Sequence, residues 1–173
     1  MTINKKLYFL RHTSVAIEKG TCYGHSDIPL SKKFETEAAL IDAPPVALVY
    51  SSPLKRCQLL AEKLYPNQTI IQDDRLKELN FGDYELKRWR SLTSEKATLW
   101  RKDPIYSSPP NGESFSDLVF RVEQFIESLP NEPILICTHS GVIRAALSIV
   151  HDIPLQEAYE LNIDYGQLIQ ISN

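Results

Sequence analysis

The sequence predicts an α/β fold, a three-layer sandwich in which helices cover both faces of a mainly parallel sheet. Two observations support this prediction. Short apolar strand candidates recur along the chain, and after several of them a polar loop leads into a segment of helical composition. The chain has 173 residues, of which 43% are hydrophobic and 24% are charged. This suits a single domain over residues 1–173 that can bury a core without cross-links.

The first half of the chain contains two strand and helix pairs. Residues 6–10 are an apolar run that ends in charge, which is typical of a buried strand. Residues 31–43 have helix-forming composition, and the β-branched residues 46–50 predict a second strand. A serine followed by a proline then suits a helix start, because the hydroxyl can cap an open N–H and proline has none to satisfy. We therefore expect a helix over residues 53–64.

The second half repeats this order. Residues 69–72 are a short strand candidate, and residues 75–83 are expected to leave it as a loop. Apolar residues at spacings of three and four predict an amphipathic helix over 114–129. Residues 133–138 are strand-like, and the apolar segment 142–150 has helical length.

Two further segments carry expectations. Residues 86–113 are predicted to form an excursion that covers the site and sets substrate choice. Residues 167–171 alternate polar and apolar side chains, as a half-exposed edge strand does. Because such an edge could pair with another chain, both a monomer and a homodimer stay open.

The composition argues against several classes of partner. The net charge of −3 gives no overall basic field for nucleic acid or an anionic membrane, and no phosphate loop of the GxxxxGK type is present. The apolar runs are too short for a membrane span or a signal peptide, so we expect a cytoplasmic protein. Cys22, Cys57 and Cys137 are odd in number and widely spaced, which predicts reduced thiols without a metal-binding role.

The residues that follow the strands indicate phosphate chemistry. In open α/β sheets ligands bind outside the carboxyl ends of the strands. Arg11 and His12 follow the first strand, Arg56 follows the second, and His139 follows the strand at 133–138. Arginine has forked donors that match phosphate oxygens, and a histidine ring nitrogen can donate or attack. The expected ligand is therefore a small phosphomonoester.

Glu78 is the carboxylate best placed to move a proton. Transfer of a phosphoryl group to a neutral histidine needs an acid for the leaving alkoxide and later a base for the attacking water. One carboxyl group can do both. Since cationic side chains can supply the charge stabilisation, neither a metal ion nor a cofactor is expected.

Four motifs together resemble those of the histidine phosphatase superfamily, also called phosphoglycerate mutase-like. They are Arg11-His12, residues 51–56 (SSPLKR), residues 78–85 (ELNFGDYE) and residues 138–141 (THSG). They occur in the family's order with compatible spacing over nearly the whole chain. Within the family, residues 22–30 (CYGHSDIPL) are similar to a segment of alpha-ribazole phosphatases, which act on an intermediate for the lower ligand of cobalamin.

The resemblance implies a role for each site residue. His12 is expected to be the nucleophile that becomes phosphohistidine, and Glu78 the proton donor. Arg11, Arg56 and His139 are expected to form the phosphate pocket, with His139 counted among the catalytic residues.

Other positions are expected to take smaller parts. Ser140 and nearby backbone donors would help hold the phosphate, and the hydroxyl of Thr13 could donate to it. Tyr23, Gly24 and His25 are candidates for contact with the substrate. Residues 86–113 are short for a mutase of this family, which favours hydrolysis.

The sequence departs from the family pattern at three positions. Thr13 and Leu86 stand where glycine is common, and Glu18 stands where many relatives have asparagine. A carboxylate at Glu18 would repel a phosphate dianion, so we expect it to point away from the site.

Several alternatives remain open at this point. A cysteine phosphatase could use Cys137 and Arg144, but six residues lie between them where that chemistry uses five. A non-catalytic phosphate-binding relative is a second alternative, and a broad-specificity phosphatase is a third. Glu85 and Glu113 could line the mouth of the site or lie on a solvated surface.

Overall fold

The structure, a computed structural model that describes residues 6–171, is built around a five-stranded sheet. The strands stand in the order β3-β2-β4-β1-β5, and β5 is antiparallel to its neighbour β1 while the other pairs are parallel. This confirms the predicted α/β class with a mainly parallel sheet. The strands are β1 (Leu7–Arg11), β2 (Leu48–Ser51), β3 (Ile70–Gln72), β4 (Ile134–Thr138) and β5 (Leu168–Ile171).

Six α-helices lie within the described residues, and short 3-10 turns occur between β3 and the third helix. The turns are Asp74–Leu76, Gly82–Tyr84 and Trp89–Ser91. The helices are α1 (Phe34–Ala39), α2 (Lys55–Leu64), α3 (Glu95–Lys102), α4 (Phe115–Ser128), α5 (Ser140–His151) and α6 (Leu155–Glu160).

The two faces of the sheet bury separate apolar clusters. Leu7 and Phe9 of β1 pack into the cluster that contains α4 and α5, whereas Leu10 packs with α2 on the opposite face. The same alternation holds in β4, where Ile136 and Leu135 belong to opposite clusters. Because successive side chains of a strand point to opposite faces, β1 and β4 contribute side chains to both cores and form the centre of the fold.

Side-chain caps fix the starts of two helices that border the strand ends. The hydroxyl of Ser114 accepts a hydrogen bond from the Asp117 N–H and the Asp117 carboxylate accepts one from the Ser114 N–H, a complete capping box for α4. The Lys55 N–H at the start of α2 donates to Asp27 at 2.9 Å. These contacts set where each helix begins relative to the sheet.

Helix boundaries differ from the predictions where tertiary contacts compete. The helix expected over residues 31–43 is limited to α1. Residues 30 and 31 pair with the segment after β1, and the chain closes tighter turns at Leu40 and Ile41. The helix expected over 53–64 begins at Lys55. Helices α3 and α6 are short, at 8 and 6 residues, and carry too little periodic signal to be predicted.

The excursion at 86–113 contains the last 3-10 turn and α3. It is attached to the segment after β1 by an isolated bridge between Thr21 and Arg88 and by hydrogen bonds that join Cys22 to Leu86 and Lys87. Its role as a lid stays a prediction. Among residues 6–171, no helix is both long and apolar enough to cross a membrane.

A central and an edge leucine of the same apolar cluster should differ in their contribution to stability. Leu135 in β4 is fully buried, and Leu168 in β5 is half-buried against the same cluster. We expect Leu135→Ala to lower the free energy of unfolding by about 2–5 kcal/mol. Packed side chains surround this central position and cannot move to fill the cavity that the substitution leaves. Leu168→Ala should cost clearly less. Urea titrations of both variants test this, and equal losses would contradict the placement of β4 at the centre.

Candidate active site

The candidate site lies where the carboxyl ends of three neighbouring strands meet. The His12 N–H, just after β1, donates to the Thr138 carbonyl at the end of β4 at 3.0 Å. On the other side of β4, the Ser52 N–H donates to the Cys137 carbonyl at 2.9 Å. The strand register therefore brings the three predicted strand exits together.

The imidazole of His12 is buried and has a defined tautomer. Its Nδ1 lies 2.7 Å from the carbonyl oxygen of Thr13. Since a carbonyl can only accept, Nδ1 carries the proton and the lone pair of the neutral ring is on Nε2. Burial, assisted by the charges of Arg56 and Arg11, holds the pKa of His12 well below its ordinary value, although the Thr13 hydrogen bond opposes this. The ring is therefore neutral at physiological pH, with a free lone pair on Nε2.

Arg56 is a fully buried cation behind this ring. Its guanidinium donates to the carbonyls of Gly24 at 2.5 Å and Ser26 at 2.8 Å, and its Nε donates to His139 Nδ1 at 3.3 Å. Because His139 accepts at Nδ1, its Nε2 proton is donated to the hydroxyl of Ser52, 2.8 Å away.

His139 is also kept neutral. Burial lowers its pKa well below the ordinary value, and the nearby charge of Arg56 adds to this. The His12 and His139 rings meet edge to face with centroids 5.1 Å apart. The two predicted histidines therefore form one buried, uncharged pair beside a cation.

The carboxylate of Glu85 holds the segment whose carbonyls bind Arg56. It accepts hydrogen bonds from the backbone N–H groups of Gly24, His25 and Ser26 at 3.0–3.2 Å, and from the Ser26 hydroxyl at 2.7 Å. Burial opposes ionisation of Glu85, but these bonds, with one from the Phe81 N–H, outweigh it and lower its pKa. Glu85 thus neither lines the mouth nor lies on a solvated surface, the two alternatives that the sequence left open.

Gly24 is required by close packing in this segment. A Cβ at this position would lie 1.9 Å from the carbonyl oxygen of Leu79. The absence of a side chain lets the backbone approach Leu79 while its carbonyl faces Arg56.

Arg11 and two tyrosines lie on another side of the site. The guanidinium carbon of Arg11 is 3.9 Å from the ring centroid of Tyr165, and Arg11 donates to the carbonyl of Ile163 at 2.5 Å. The hydroxyl of Tyr165 lies 2.8 Å from that of Tyr23. The Tyr165 ring orients Arg11 through a cation–π contact and the Tyr23 contact fixes the hydroxyl end of the ring.

Glu78 meets the N-terminus of α5. The N–H of Gly141 donates to its two carboxylate oxygens at 3.1 and 3.2 Å, and the hydroxyl of Ser140 donates at 3.2 Å. A Cβ on Gly141 would lie 2.2 Å from one of those oxygens, so this contact also requires glycine. The N-terminus of a helix favours an anion, so α5 holds the carboxylate beside the strand ends.

These groups surround a cavity of about 280 Å³. Of the predicted site residues, Arg11, His12, Tyr23, Glu78 and Ser140 line it. Thr21, Phe81, Trp89 and Tyr165 complete the wall.

The other predicted site residues are arranged around the cavity without lining it. Arg56, His139 and Thr13 are buried next to His12. The carbonyl of Gly24 accepts a hydrogen bond from Arg56. The ring of His25 is turned toward Glu113, with Nε2 3.9 Å from that carboxylate. The assignment of Gly24 and His25 to substrate binding, like the roles of all these residues, stays a prediction.

The three departures from the family pattern have distinct structural outcomes. Thr13 is fully buried, and within residues 6–171 its hydroxyl has no hydrogen-bond partner. Glu18 is exposed and paired with Arg88, so it points away from the site as expected. Leu86 has a φ of 63°, the left-handed conformation that glycine adopts without cost.

Tyr165 is a site residue that sequence reasoning missed. It precedes β5, and this antiparallel edge strand begins at the edge of the sheet where its neighbour β1 ends. The antiparallel direction of the final strand was the signal that could have placed the preceding loop beside His12.

The cysteine alternative does not fit the geometry. Cys137 is buried in β4 among the side chains that pack with α2, and its thiol donates to the Cys57 carbonyl at 3.2 Å. Arg144 donates to the carbonyl of Leu161 at 2.8 Å. The Cys137 thiol and the Arg144 guanidinium therefore do not face a common phosphate-binding loop.

Comparison with known proteins identifies the class to which this fold and site belong. Residues 7–172 match the family model of the histidine phosphatase superfamily, branch 1. The chain belongs to this superfamily, and the expectation of a phosphatase is confirmed at the level of the family and its named relatives.

Its relatives carry more than one substrate in their names. The chain is 30% identical to an adenosylcobalamin/alpha-ribazole phosphatase from Escherichia coli, over 93% of this chain and 86% of that protein. It is 29% identical to a Hydrogenobacter thermophilus protein that is named provisionally as phosphoserine phosphatase 2, over 96% and 89% of the two chains. The crystal structure of the alpha-ribazole phosphatase from Shigella flexneri superposes with a TM-score of 0.85 at 28% identity, covering 94% of this chain and 88% of that one.

The two buried histidines should make stability depend on pH. Their pKa values are lowered on folding, so below about pH 6.5 the unfolded chain binds protons that the folded chain does not. Stability should then fall as the pH decreases, by up to about 1.4 kcal/mol per pH unit for each ring. Urea unfolding of the wild type at pH 7.5 and 5.5 measures this loss.

Single variants attribute the loss to particular rings. His12→Asn or His139→Gln should reduce the difference between the two pH values, whereas His151→Gln, at an exposed position, should not. An unchanged difference in both buried-site variants would show that these rings are not the source.

Proposed function

We propose that the protein hydrolyses a phosphomonoester through a phosphohistidine at His12, and that its substrate is α-ribazole 5'-phosphate, in assembly of the nucleotide loop of cobalamin. The observation that carries the proposal is the His12 ring, which is buried, neutral and held by Thr13 so that Nε2 bears the lone pair. A ring that served only to bind phosphate would act better as a protonated donor. A cytoplasmic location stays a prediction from the sequence.

The proposed first step transfers the phosphoryl group to the ring. Nε2 of His12 attacks phosphorus, the bond from phosphorus to the ester oxygen breaks, and that oxygen takes the proton of Glu78, which enters this step as the carboxylic acid. Both side chains line the same cavity. The products are the free alcohol, phosphohistidine and the Glu78 carboxylate.

The proposed second step restores the enzyme. Water attacks phosphorus, the bond between phosphorus and Nε2 breaks, and the proton of the water passes to Glu78. Inorganic phosphate leaves, and both His12 and Glu78 return to their starting protonation states.

The cationic groups around the cavity support this reaction without a metal ion. Arg11 lines the cavity, and the buried Arg56 beside His139 adds a second permanent positive charge that attracts a phosphate dianion. Within residues 6–171, Arg11 Nε is buried without a hydrogen-bond partner and can donate to a phosphate oxygen, and the hydroxyl of Thr13, next to His12, is also unpartnered. Preorganised donors of this kind are the main source of phosphoryl-transfer catalysis.

The walls of the cavity support a substrate with a planar group. Tyr23, Phe81, Trp89 and Tyr165 line it, and Trp89 stacks on Trp100 with an interplanar angle of 12°. Aromatic walls favour flat apolar groups such as the benzimidazole of α-ribazole. The names of the relatives from Escherichia coli and Shigella flexneri point to the same substrate.

A broad-specificity phosphatase is the second candidate. The relative from Hydrogenobacter thermophilus carries the name of a different substrate at nearly the same identity. A phosphate site of this type can also accept many alcohols, because its donors contact only the phosphoryl group.

Removal of the nucleophile tests the mechanism. We expect His12→Ala to lower phosphate release in EDTA by at least about a thousandfold, since no other side chain would accept the phosphoryl group. Rapid quench of the wild type with a substrate that carries radioactive phosphorus should trap a labelled phosphoenzyme. We expect this species to be acid-labile and base-stable, and to be absent from His12→Ala.

Cys137→Ser is the matched control, because it changes a buried thiol of β4 that faces away from the cavity. It should keep most of the activity. Loss of activity in this variant, or retention in His12→Ala, would overturn the mechanism. A wild type that binds phosphate without turnover would instead indicate the non-catalytic alternative.

A substrate panel tests the physiological assignment. We expect kcat/KM for α-ribazole 5'-phosphate to exceed that for O-phosphoserine and 3-phosphoglycerate by at least about tenfold, because only the first can contact the aromatic walls. Trp89→Leu should reduce this preference more than Trp89→Phe. Similar kcat/KM values across the panel would support the broad-specificity enzyme and remove the pathway assignment.

A further inference from the structure

A bidentate ion pair lies behind the backbone that carries Glu78. Arg121 of α4 donates to the two carboxylate oxygens of Glu113 at 3.0 and 2.6 Å. Each side chain has an exposed fraction of only 18%. A pair withdrawn from water in this way adds little net stability compared with apolar side chains, so its value lies in the groups that it fixes.

The pair contacts the chain around Glu78 at three backbone positions. Arg121 donates to the carbonyl of Glu78 at 3.0 Å and to the carbonyl of Arg75 at 2.5 Å. Glu113 accepts from the N–H of Asn80 at 2.9 Å. The same ion pair therefore holds the peptide group that follows Glu78, together with backbone groups three residues before and two residues after it.

We infer that Arg121 and Glu113 are positioning residues, which fix the backbone at Glu78 so that its carboxyl group meets the leaving oxygen. This inference rests on the proposed function of Glu78 as the acid. Neither residue lines the cavity, so each acts through Glu78 and not on the substrate.

The side-chain contacts of Glu78 show why its backbone must be fixed. The carboxylate is held by Ser140 and Gly141, and a Cβ on Gly141 would already lie 2.2 Å from it. A small rotation of the backbone at residue 78 would break this fit or move the carboxyl group away from His12. A misplacement of about 1 Å can cost about a hundredfold in rate.

The chemistry of arginine suits this role. Its planar guanidinium donates at once to both oxygens of Glu113 and to the carbonyls of Arg75 and Glu78. Lysine presents a single ammonium on a flexible stem and cannot keep this geometry. Arg121→Lys should therefore behave like a weaker form of Arg121→Met.

The leaving group separates positioning of the acid from a purely structural role. Benzyl phosphate releases a strongly basic alkoxide that needs the proton of Glu78, whereas p-nitrophenyl phosphate releases a weakly basic phenolate that does not. In a two-step reaction kcat/KM covers only binding and transfer to His12. The later role of Glu78 as a base therefore does not enter the comparison.

The experiment measures kcat/KM of both substrates for the wild type, Arg121→Met, Glu78→Gln and the double variant. Arg121→Met should lose about 10- to 100-fold with benzyl phosphate and less than about threefold with p-nitrophenyl phosphate. In the Glu78→Gln background, Arg121→Met should add less than about a twofold loss, because the acid that it positions is already absent.

Arg75→Met is the matched control. Arg75 also joins the turn before Glu78 to α4, through the Gln124 carbonyl at 3.0 Å and Ser128 at 3.1 Å, but its side chain does not contact Glu78. Its ratio of the two kcat/KM values should equal that of the wild type. If Arg121→Met fails to fold, Arg121→Lys and Glu113→Gln test the same ratio.

Equal losses on both substrates, or losses that add to those of Glu78→Gln, would overturn the inference and leave the proposed function standing. Absence of turnover by the wild type of both of these substrates and of α-ribazole 5'-phosphate would refute the proposed function, and this inference with it. A loss confined to benzyl phosphate would support both.

Discussion

The candidate site depends on the burial of one permanent positive charge. Arg56 is fully buried, and a guanidinium removed from water costs several kcal/mol unless its donors are satisfied. Its partners are the carbonyls of Gly24 and Ser26 and the ring of His139. The N–H groups of the same short segment point to Glu85. The peptide dipoles of residues 24–26 therefore lie between a carboxylate and a guanidinium, which stabilises both charges and fixes the segment between them.

This arrangement determines the state of the two histidines. His139 must accept from Arg56 at Nδ1, which selects its tautomer, and the charge of Arg56 adds to burial in lowering the pKa of both rings. The same positive potential attracts a phosphate dianion. A neutral histidine and a field that attracts an anion usually conflict, because an anion near a histidine favours its protonation. A buried arginine next to the ring opposes that protonation and allows the two to coexist.

Sequence reasoning succeeded where function depends on position in the sheet. Arg11, His12 and His139 follow strands directly, so the prediction of the strands also placed these side chains at one edge. It could not assign Glu85 or Arg121, because each acts through backbone groups of segments distant in the chain, and no local pattern records such a contact. The limits of α1 escaped prediction for the same reason, since Leu30 and Ser31 pair with Val15 and Ser14, which are distant in the chain.

Two aromatic residues of the cavity wall, Phe81 and Trp89, contact a structural unit that lies outside the charge network. Cys22, Tyr84, Leu92, Ala97 and Trp100 form a small apolar cluster of their own, apart from the two cores on the faces of the sheet.

Phe81 packs against this cluster and also against the core on the α4 and α5 face, and it lines the cavity together with Trp89. Changes within residues 86–113 can therefore move the aromatic wall through Phe81 and Trp89 while Arg56, His12 and His139 keep their partners. A phosphate site of fixed geometry can in this way face a wall that accepts different alcohols. Two relatives of nearly equal identity to this chain do carry different substrates in their names.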